Sequence, residues 1–193
     1  LDQASLPGPF VLVGHSLGAL NVQAFASIYP SDVAGLVLLD PPPLPSILGR
    51  DFSGLKAMAD QMTSEWQAGA DAGAASSDPG ERKHAGFLAM IASEHREMFG
   101  ASARLAEAIP GFGSIPLAVI GAGKPNPAFG AVAGDYQKFW IEQNRILSEK
   151  SAGGKFVLAE SSSHDLFADA PGLVEKEVLD VVEAARKIAS DRA

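Results

Sequence analysis

Four short stretches of the chain are almost unbroken apolar runs: PFVLVG (9–14), AGLVLLD (34–40), IPLAVIG (115–121) and KFVLAE (155–160). Runs of this length without polar alternation fit strands covered on both faces, the pattern of a parallel sheet. Between the first two, from Leu17 to about Tyr29, Leu20, Ala24 and Ile28 recur at helical spacing until YPSD stops the pattern. Strand, helix, strand is a βαβ unit. A second helix is expected from Asp135 to about Lys150, with Phe139, Gln143 and Leu147 on one face and SAGG at its end. A final helix opens at DAPG with Pro171 in its first turn, and Leu173, Val174, Val178, Val181, Val182, Ala185 and Ile188 form its apolar stripe. No internal repeat is visible.

Residues 41–114 differ in character. They begin with PPPLP, contain a helical face of Leu55, Met58, Ala59, Met62 and Trp66, pass through a small-residue stretch, AGADAGAASSDPG, that reads as a loop, and continue into a helix from about Gly80 to Phe99. An insertion of this length between two sheet strands is too long for an ordinary connection, so a helical cap or lid is expected. The predicted organisation is a core of residues 1–40 and 115–193 with a cap at 41–114. The fold class is α/β: a parallel sheet of about four strands, helices on both faces and a helical insertion.

Composition narrows the function classes. With 193 residues, 47% hydrophobic and 20% charged, the chain can build a core. A net charge of −8 without basic runs argues against nucleic acid as a partner. No apolar run approaches the ~20 residues of a membrane span, and a cytoplasmic location is expected. The absence of cysteine removes disulfides, thiolate chemistry and cysteine metal sites. The chain opens on Leu1, and LDQAS before LPGP reads like the last turn of a helix breaking ahead of a strand, so an upstream segment is expected.

Chemistry enters with GHSLG, in which Ser16 stands between Gly14 and Gly18 where the first strand turns into the first helix. The motif is weak alone and gains meaning from the strand-turn-helix context, which lifts a serine hydroxyl above the sheet. Glycines on either side allow backbones to approach closely. The helix N-terminus directs free N–H groups at the place where an oxyanion forms, and Leu17 N–H is the natural first donor. A serine hydroxyl needs a base to take its proton. Of the four histidines, His15 lies inside the motif, as packing or a pocket residue, and His84 and His95 occupy polar helical positions in the insertion. His164, between the last strand and the last helix, is where a base would be presented. For the acid that orients it, Asp40 ends the second strand, Asp135 precedes a helix as a candidate N-cap, and Asp165 adjoins His164. Asp40 is favoured and Asp135 stays open.

The stretch from PFVLVGHSLGAL through GLVLLD, with the closing SHDLFADAP and its helix, resembles the α/β-hydrolase superfamily over the whole chain apart from a diverged insertion. The resemblance implies Ser16 as nucleophile, His164 as base and Leu17 N–H as half of an oxyanion hole. Most members carry the acid after the strand that matches IPLAVIG, yet GAGKPNPAFG holds no carboxylate; some lipase-like members carry it one strand earlier, which here is Asp40. The full fold resembles eight strands with the nucleophile on the fifth, and the second oxyanion donor has no counterpart here. The 193 residues therefore read as a C-terminal portion.

The resulting expectation is a serine hydrolase of carboxylesterase type, acting on a small ester through Ser16, His164 and Asp40, with no cofactor and no metal. Thioester, amide and C–C cleavage use the same triad and stay open. Ser16 argues against epoxide hydrolases and dehalogenases of this fold, which attack with a carboxylate. GAGKPN makes a poor phosphate loop, since no Ser or Thr follows Lys124 and Pro125 has no N–H. Met58, Met62, Trp66, Met90 and Met98 could line an acyl pocket or pack the insertion. A non-catalytic binding module of the same fold is the reading from another class. FVLV, apolar on both faces at the open end of a sheet, would expose unpaired N–H and C=O groups and recruit another chain, so self-association is expected of the isolated chain, with activity near background.

Overall fold

The computed structural model describes residues 6–43, 53–97 and 101–191, with the side chains of 53, 55, 56 and 101–103 outside the description. The Leu55 side chain, Met98 and the last two residues of PPPLP therefore lie outside it. Two compact units divide the chain: Leu1–Pro43 with Ala108–Ala193, and Leu44–Glu107.

The first unit carries a four-stranded parallel sheet in the order β1 (Phe10–His15), β2 (Val33–Leu39), β3 (Pro116–Ala122), β4 (Gly153–Ala159). All four apolar runs became strands, each within about two residues of its expected bounds. β2 and β3 carry the continuous apolar runs and are the interior strands; Leu36, Val37, Leu38 and Leu39 are fully buried, as are Ala118, Val119 and Ile120. β1 pairs only with β2 among the described residues, and Val13 on it is 41% exposed.

Alternation of side chains along a strand sends neighbours to opposite faces, so the sheet feeds two cores. Leu36, Leu38, Leu117 and Val119 meet Ala19 and Ala26 of helix α1 (Leu17–Ile28) on one face. Val37, Leu39, Ala118 and Ile120 meet Val174 and Val181 of a C-terminal helix, Pro171–Ser190, on the other. The expected stripe of that helix is in place, with one addition: buried Glu177, paired by Lys155 of β4 and by Lys176. β3 and β4 are joined by a helix over Ala133–Ser148.

The second unit consists of α2 (Ser53–Ala74), α3 (Pro79–Glu97) and most of α4 (Ala101–Ala108). α2 continues through the first half of AGADAGAASSDPG to Ala74, where a loop was expected. Alanine is the best helix former, and four alanines in the stretch up to Ala74 outweigh its glycines. The helices that follow are then α5 (Ala133–Ser148), α6 (Leu166–Asp169) and α7 (Pro171–Ser190).

The register aligns the carboxyl ends of the strands. His15 pairs with Leu39, Leu39 with Ile120, and Ala122 with Ala159. Ser16, Asp40 and the loop after β4 consequently emerge at one end of the sheet.

The turn from β1 into α1 separates the two glycines of GHSLG. A Cβ on Gly14 would sit 2.5 Å from Gly18 O and 2.7 Å from Ala19 Cα, both backbone atoms that cannot yield, whereas a Cβ on Gly18 would meet nothing within 4 Å. Close approach was expected to require both; it requires Gly14. Gly14→Ala is expected to cost on the order of 3 kcal/mol and to lower Tm by about 10 °C, while Gly18→Ala stays within about 1 kcal/mol of the parent, on the favourable side. Paired thermal melts check this, and equal melting temperatures for the two variants would contradict it.

Candidate active site

Ser16 is the junction between β1 and α1, with φ 52° and ψ −123°. A non-glycine residue in that region is strained by 1–3 kcal/mol, so the surroundings must hold it there. They do so through the backbone: Ser16 N–H donates to Leu39 O at 2.9 Å, and Ala19 N–H to Ser16 O at 2.9 Å. Its side chain makes no capping bond to the helix, and among the described residues Ser16 Oγ makes no hydrogen bond. The hydroxyl of a serine at a helix start ordinarily caps it; here the strained backbone leaves it uncommitted.

Asp40 follows β2 and, among the described residues, is the other non-glycine residue with positive φ, at 43°. The turn sends its side chain inward, where the residue is 2% exposed. A buried carboxylate must be hydrogen-bonded. Oδ1 accepts from Ala122 N–H at 3.0 Å and Asn144 Nδ2 at 3.3 Å, while Oδ2 lies 2.7 Å from His164 Nδ1. Since the carboxylate accepts, His164 carries a proton on Nδ1, and in its neutral form the lone pair is on Nε2.

His164 reaches this partner across β3 because its loop is tied down. Ser162 O accepts from Lys124 N–H at 2.9 Å, and Ser163 N–H donates to Asp169 Oδ2 at 2.7 Å. That backbone donor is the largest reason the Asp169 carboxyl is held below the usual carboxylate range. The His164 carbonyl accepts from Leu166 N–H and from His15 Nε2 at 2.8 Å. A carbonyl only accepts, so His15 carries its proton on Nε2. His15 also lies against the His164 ring, with centroids 4.7 Å apart, and meets Phe167 edge-on.

The His164 ring also meets Trp140 edge-on at 5.6 Å, and Trp140 in turn meets Tyr136 at 5.4 Å. Burial first, and the neighbouring Asp40 charge second, push the Tyr136 phenol far above its ordinary value. Asp135, the other candidate acid, sits in the first turn of α5 with its side chain 82% exposed, paired with Lys138 at 3.2 Å. The structure thus brings His15, Asp40 and His164 together at the end of the sheet, with Ser16 one residue from His15 and bonded to the residue before Asp40. Leu17, the first helical residue after Ser16, begins α1.

Residues 2–177 match the description "Alpha/beta hydrolase family". The chain belongs to that family. The protein YqjL of Bacillus subtilis (strain 168), whose function is uncharacterised, is 26% identical over 185 residues, 96% of this chain and 61% of its own length. The chain thus spans less than two thirds of that curated relative. Among solved structures, lip1 of Acinetobacter baumannii AYE superposes with a TM-score of 0.63 at 16% identity, covering 96% of this chain and 64% of that one. A thermophilic esterase from Thermogutta terrifontis gives 0.52 at 20% identity, covering 95% and 68%. A variant of an epoxide hydrolase from Bacillus megaterium gives 0.56 at 12%, covering 94% and 72%. These likenesses establish the alpha/beta hydrolase fold and leave the chemistry to the residues.

Four site neighbours were not found from the sequence of this alpha/beta hydrolase family member: Tyr136, Gln137, Trp140 and Asn144, all on α5. Their spacing of 1, 3 and 4 is a helical stripe, but two of the four are amides and do not register as apolar. In the second unit, Met58 and Met62 are half-buried on α2, and Trp66 meets His95 edge-on at 5.2 Å. His84 is exposed, as expected for a polar helical position. His95 is not a plain surface residue: its Nδ1 lies 2.8 Å from Thr63 Oγ1, and burial lowers its pKa. No group of three or more metal-ligating side chains occurs among the described residues, and none of their helices is long and apolar enough to cross a membrane.

Proposed function

We propose that this alpha/beta hydrolase cleaves a small ester by acyl transfer, with Ser16 as nucleophile, His164 as general base and Asp40 as the acid that orients it. The reading is carried by the 2.7 Å contact between His164 Nδ1 and Asp40 Oδ2, made by a carboxylate that is almost wholly buried. That contact leaves Nε2 able to take a proton. Ser16 Oγ attacks the ester carbonyl carbon as Nε2 removes its hydrogen. The carbonyl oxygen becomes an oxyanion, and Leu17 N–H, at the positive end of α1, is one donor to it. Collapse expels the alkoxide, which receives the proton from His164 and departs as the alcohol. Water then repeats the sequence on the acyl-enzyme and releases the acid.

The pocket residue proposed for this substrate is His15, which adjoins Ser16 in the chain and lies against the His164 ring. The absent hydrogen bond on Ser16 Oγ favours a second reading, a non-catalytic binding module. It weighs little, because catalytic hydrogen bonds are often long in empty sites and tighten with substrate. A p-nitrophenyl ester series of increasing acyl length, run on the intact protein, tests the proposal. The expected result is saturable hydrolysis with a preference for short chains; release of nitrophenol no faster than in buffer across the series would leave the binding module standing.

A further inference from the structure

Two amides on α5 converge on Asp40. Asn144 and Gln137 are seven residues apart, on the same face of the helix, and both are buried, at 2% and 6% exposure. Asn144 Nδ2 donates to Asp40 Oδ1 at 3.3 Å. Gln137 Nε2 donates to Ala122 O at 2.8 Å, and Ala122 N–H donates to the same Asp40 Oδ1 at 3.0 Å. Polar side chains this deep cost free energy unless a specific partner compensates them, and an apolar residue would have filled either place more cheaply. The partner of Asn144 is the carboxylate itself, and that of Gln137 is the carbonyl of Ala122, the residue whose N–H, one peptide group earlier, holds that carboxylate.

The arrangement divides the two oxygens of Asp40. Oδ1 receives two donors, from α5 and the end of β3, and among the described residues Oδ2 faces His164. A carboxylate can otherwise rotate about its Cβ–Cγ bond and share both oxygens with whatever donor is nearest. Two donors on one oxygen remove that freedom and aim the other at His164 Nδ1. Gln137 acts one step further out: by fixing the Ala122 carbonyl it fixes the plane of a peptide group lying between β3 and its loop.

We infer that Asn144 is a positioning residue for the hydrolysis, acting through Asp40, with Gln137 supporting it through Ala122. The inference rests on the reading of Asp40 as the triad acid. Removing the Asn144 donor lets the carboxylate turn, weakens the His164 bond and allows the imidazole to leave its productive orientation. Binding of the ester does not involve these atoms, so kcat falls and KM does not.

The test is a double-mutant cycle on the intact protein, with p-nitrophenyl acetate as substrate. Asn144→Ala is expected to lower kcat about 10- to 100-fold, the worth of one hydrogen bond to a charged group, with KM changed less than about twofold. In an Asp40→Ala background the same substitution is expected to change kcat less than about twofold, because the carboxylate through which it acts is already gone. Asn144→Ser, which keeps a small polar group in the site, stands in if the alanine variant does not fold. Proton NMR of the downfield His164 Nδ1–H resonance gives a second reading free of activity: it shifts or broadens in the Asn144 variants. Equal losses in both backgrounds, or an unmoved resonance with unchanged kcat, would overturn the inference. Should the parent protein hydrolyse nothing, the proposed function fails, and the resonance alone decides for or against the positioning role.

Discussion

Asp40→Asn is expected to lower kcat on p-nitrophenyl acetate by about 10⁴ while leaving the fold intact. The size of the effect follows from where each atom of the new amide must go. Ala122 N–H and Asn144 Nδ2 both point at Oδ1, so the asparagine places its carbonyl oxygen there. Its NH₂ group then occupies the position of Oδ2, facing His164 Nδ1. Two donors cannot face each other, so His164 moves its proton to Nε2. A protonated Nε2 has no lone pair for the hydrogen of Ser16. Because the substitution keeps volume and both donors to Oδ1, the melting temperature should hold within a few degrees. Asp135→Asn is the matched control: its side chain lies at the surface of α5, and its loss should change kcat less than about twofold. Full activity in Asp40→Asn together with a collapse in Asp135→Asn would move the acid to α5. Steady-state kinetics and thermal melts on the two variants are sufficient.

Ser16→Ala should abolish labelling by a fluorophosphonate probe and reduce turnover by about 10⁶, the scale seen when a nucleophile of this kind is removed. Mass spectrometry should locate the adduct on Ser16 in the parent protein and find none in the variant; an adduct on another serine would refute the assignment. The backbone supplies an independent signature. Ser16 holds φ 52°, which costs a side-chain-bearing residue free energy and costs glycine almost none. Ser16→Gly should therefore be as inactive as Ser16→Ala but more stable than either, by about 1 kcal/mol. A site where removing the reactive group raises stability is one in which strain is held for function. Thermal denaturation of the three proteins would show it, and a glycine variant less stable than the alanine one would count against stored strain at this turn.

Much of the architecture was legible because the physics that makes it is local. A run such as GLVLL cannot face water on either side, and a run of apolar residues a few positions long followed by a glycine-flanked turn admits few structures besides an interior strand. Helix phase was less legible. On α1 the spacing of Leu20, Ala24 and Ile28 suggested the buried line, yet Ile28 is exposed and Ala19, Leu20, Gln23 and Ala26 are buried. Gln23 is invisible to a hydrophobic pattern because it satisfies its amide on its own helix, donating to Ala19 O at 3.0 Å. On α5 the expected face of Phe139, Gln143 and Leu147 is rotated from the buried one of Ala133, Tyr136, Gln137, Asn144 and Ser148, three of them polar.

By itself the sequence determined the strand set, the parallel class of sheet and the placement of Ser16 at a strand-to-helix turn, since each depends on neighbours within a few residues. It also narrowed the histidines to His164 by its position between the last strand and the last helix. Only the tertiary structure decided which carboxylate meets that histidine. Asp40 directly follows a strand and Asp135 opens a helix, a local difference that favoured Asp40 but left Asp135 open. The deciding difference lies in a backbone turn at Asp40 that points its side chain inward and in donors that come from Ala122 and Asn144, 82 and 104 residues away along the chain. A buried charge is tolerated only where such donors converge, and their convergence is a property of packed elements that no short stretch of sequence contains.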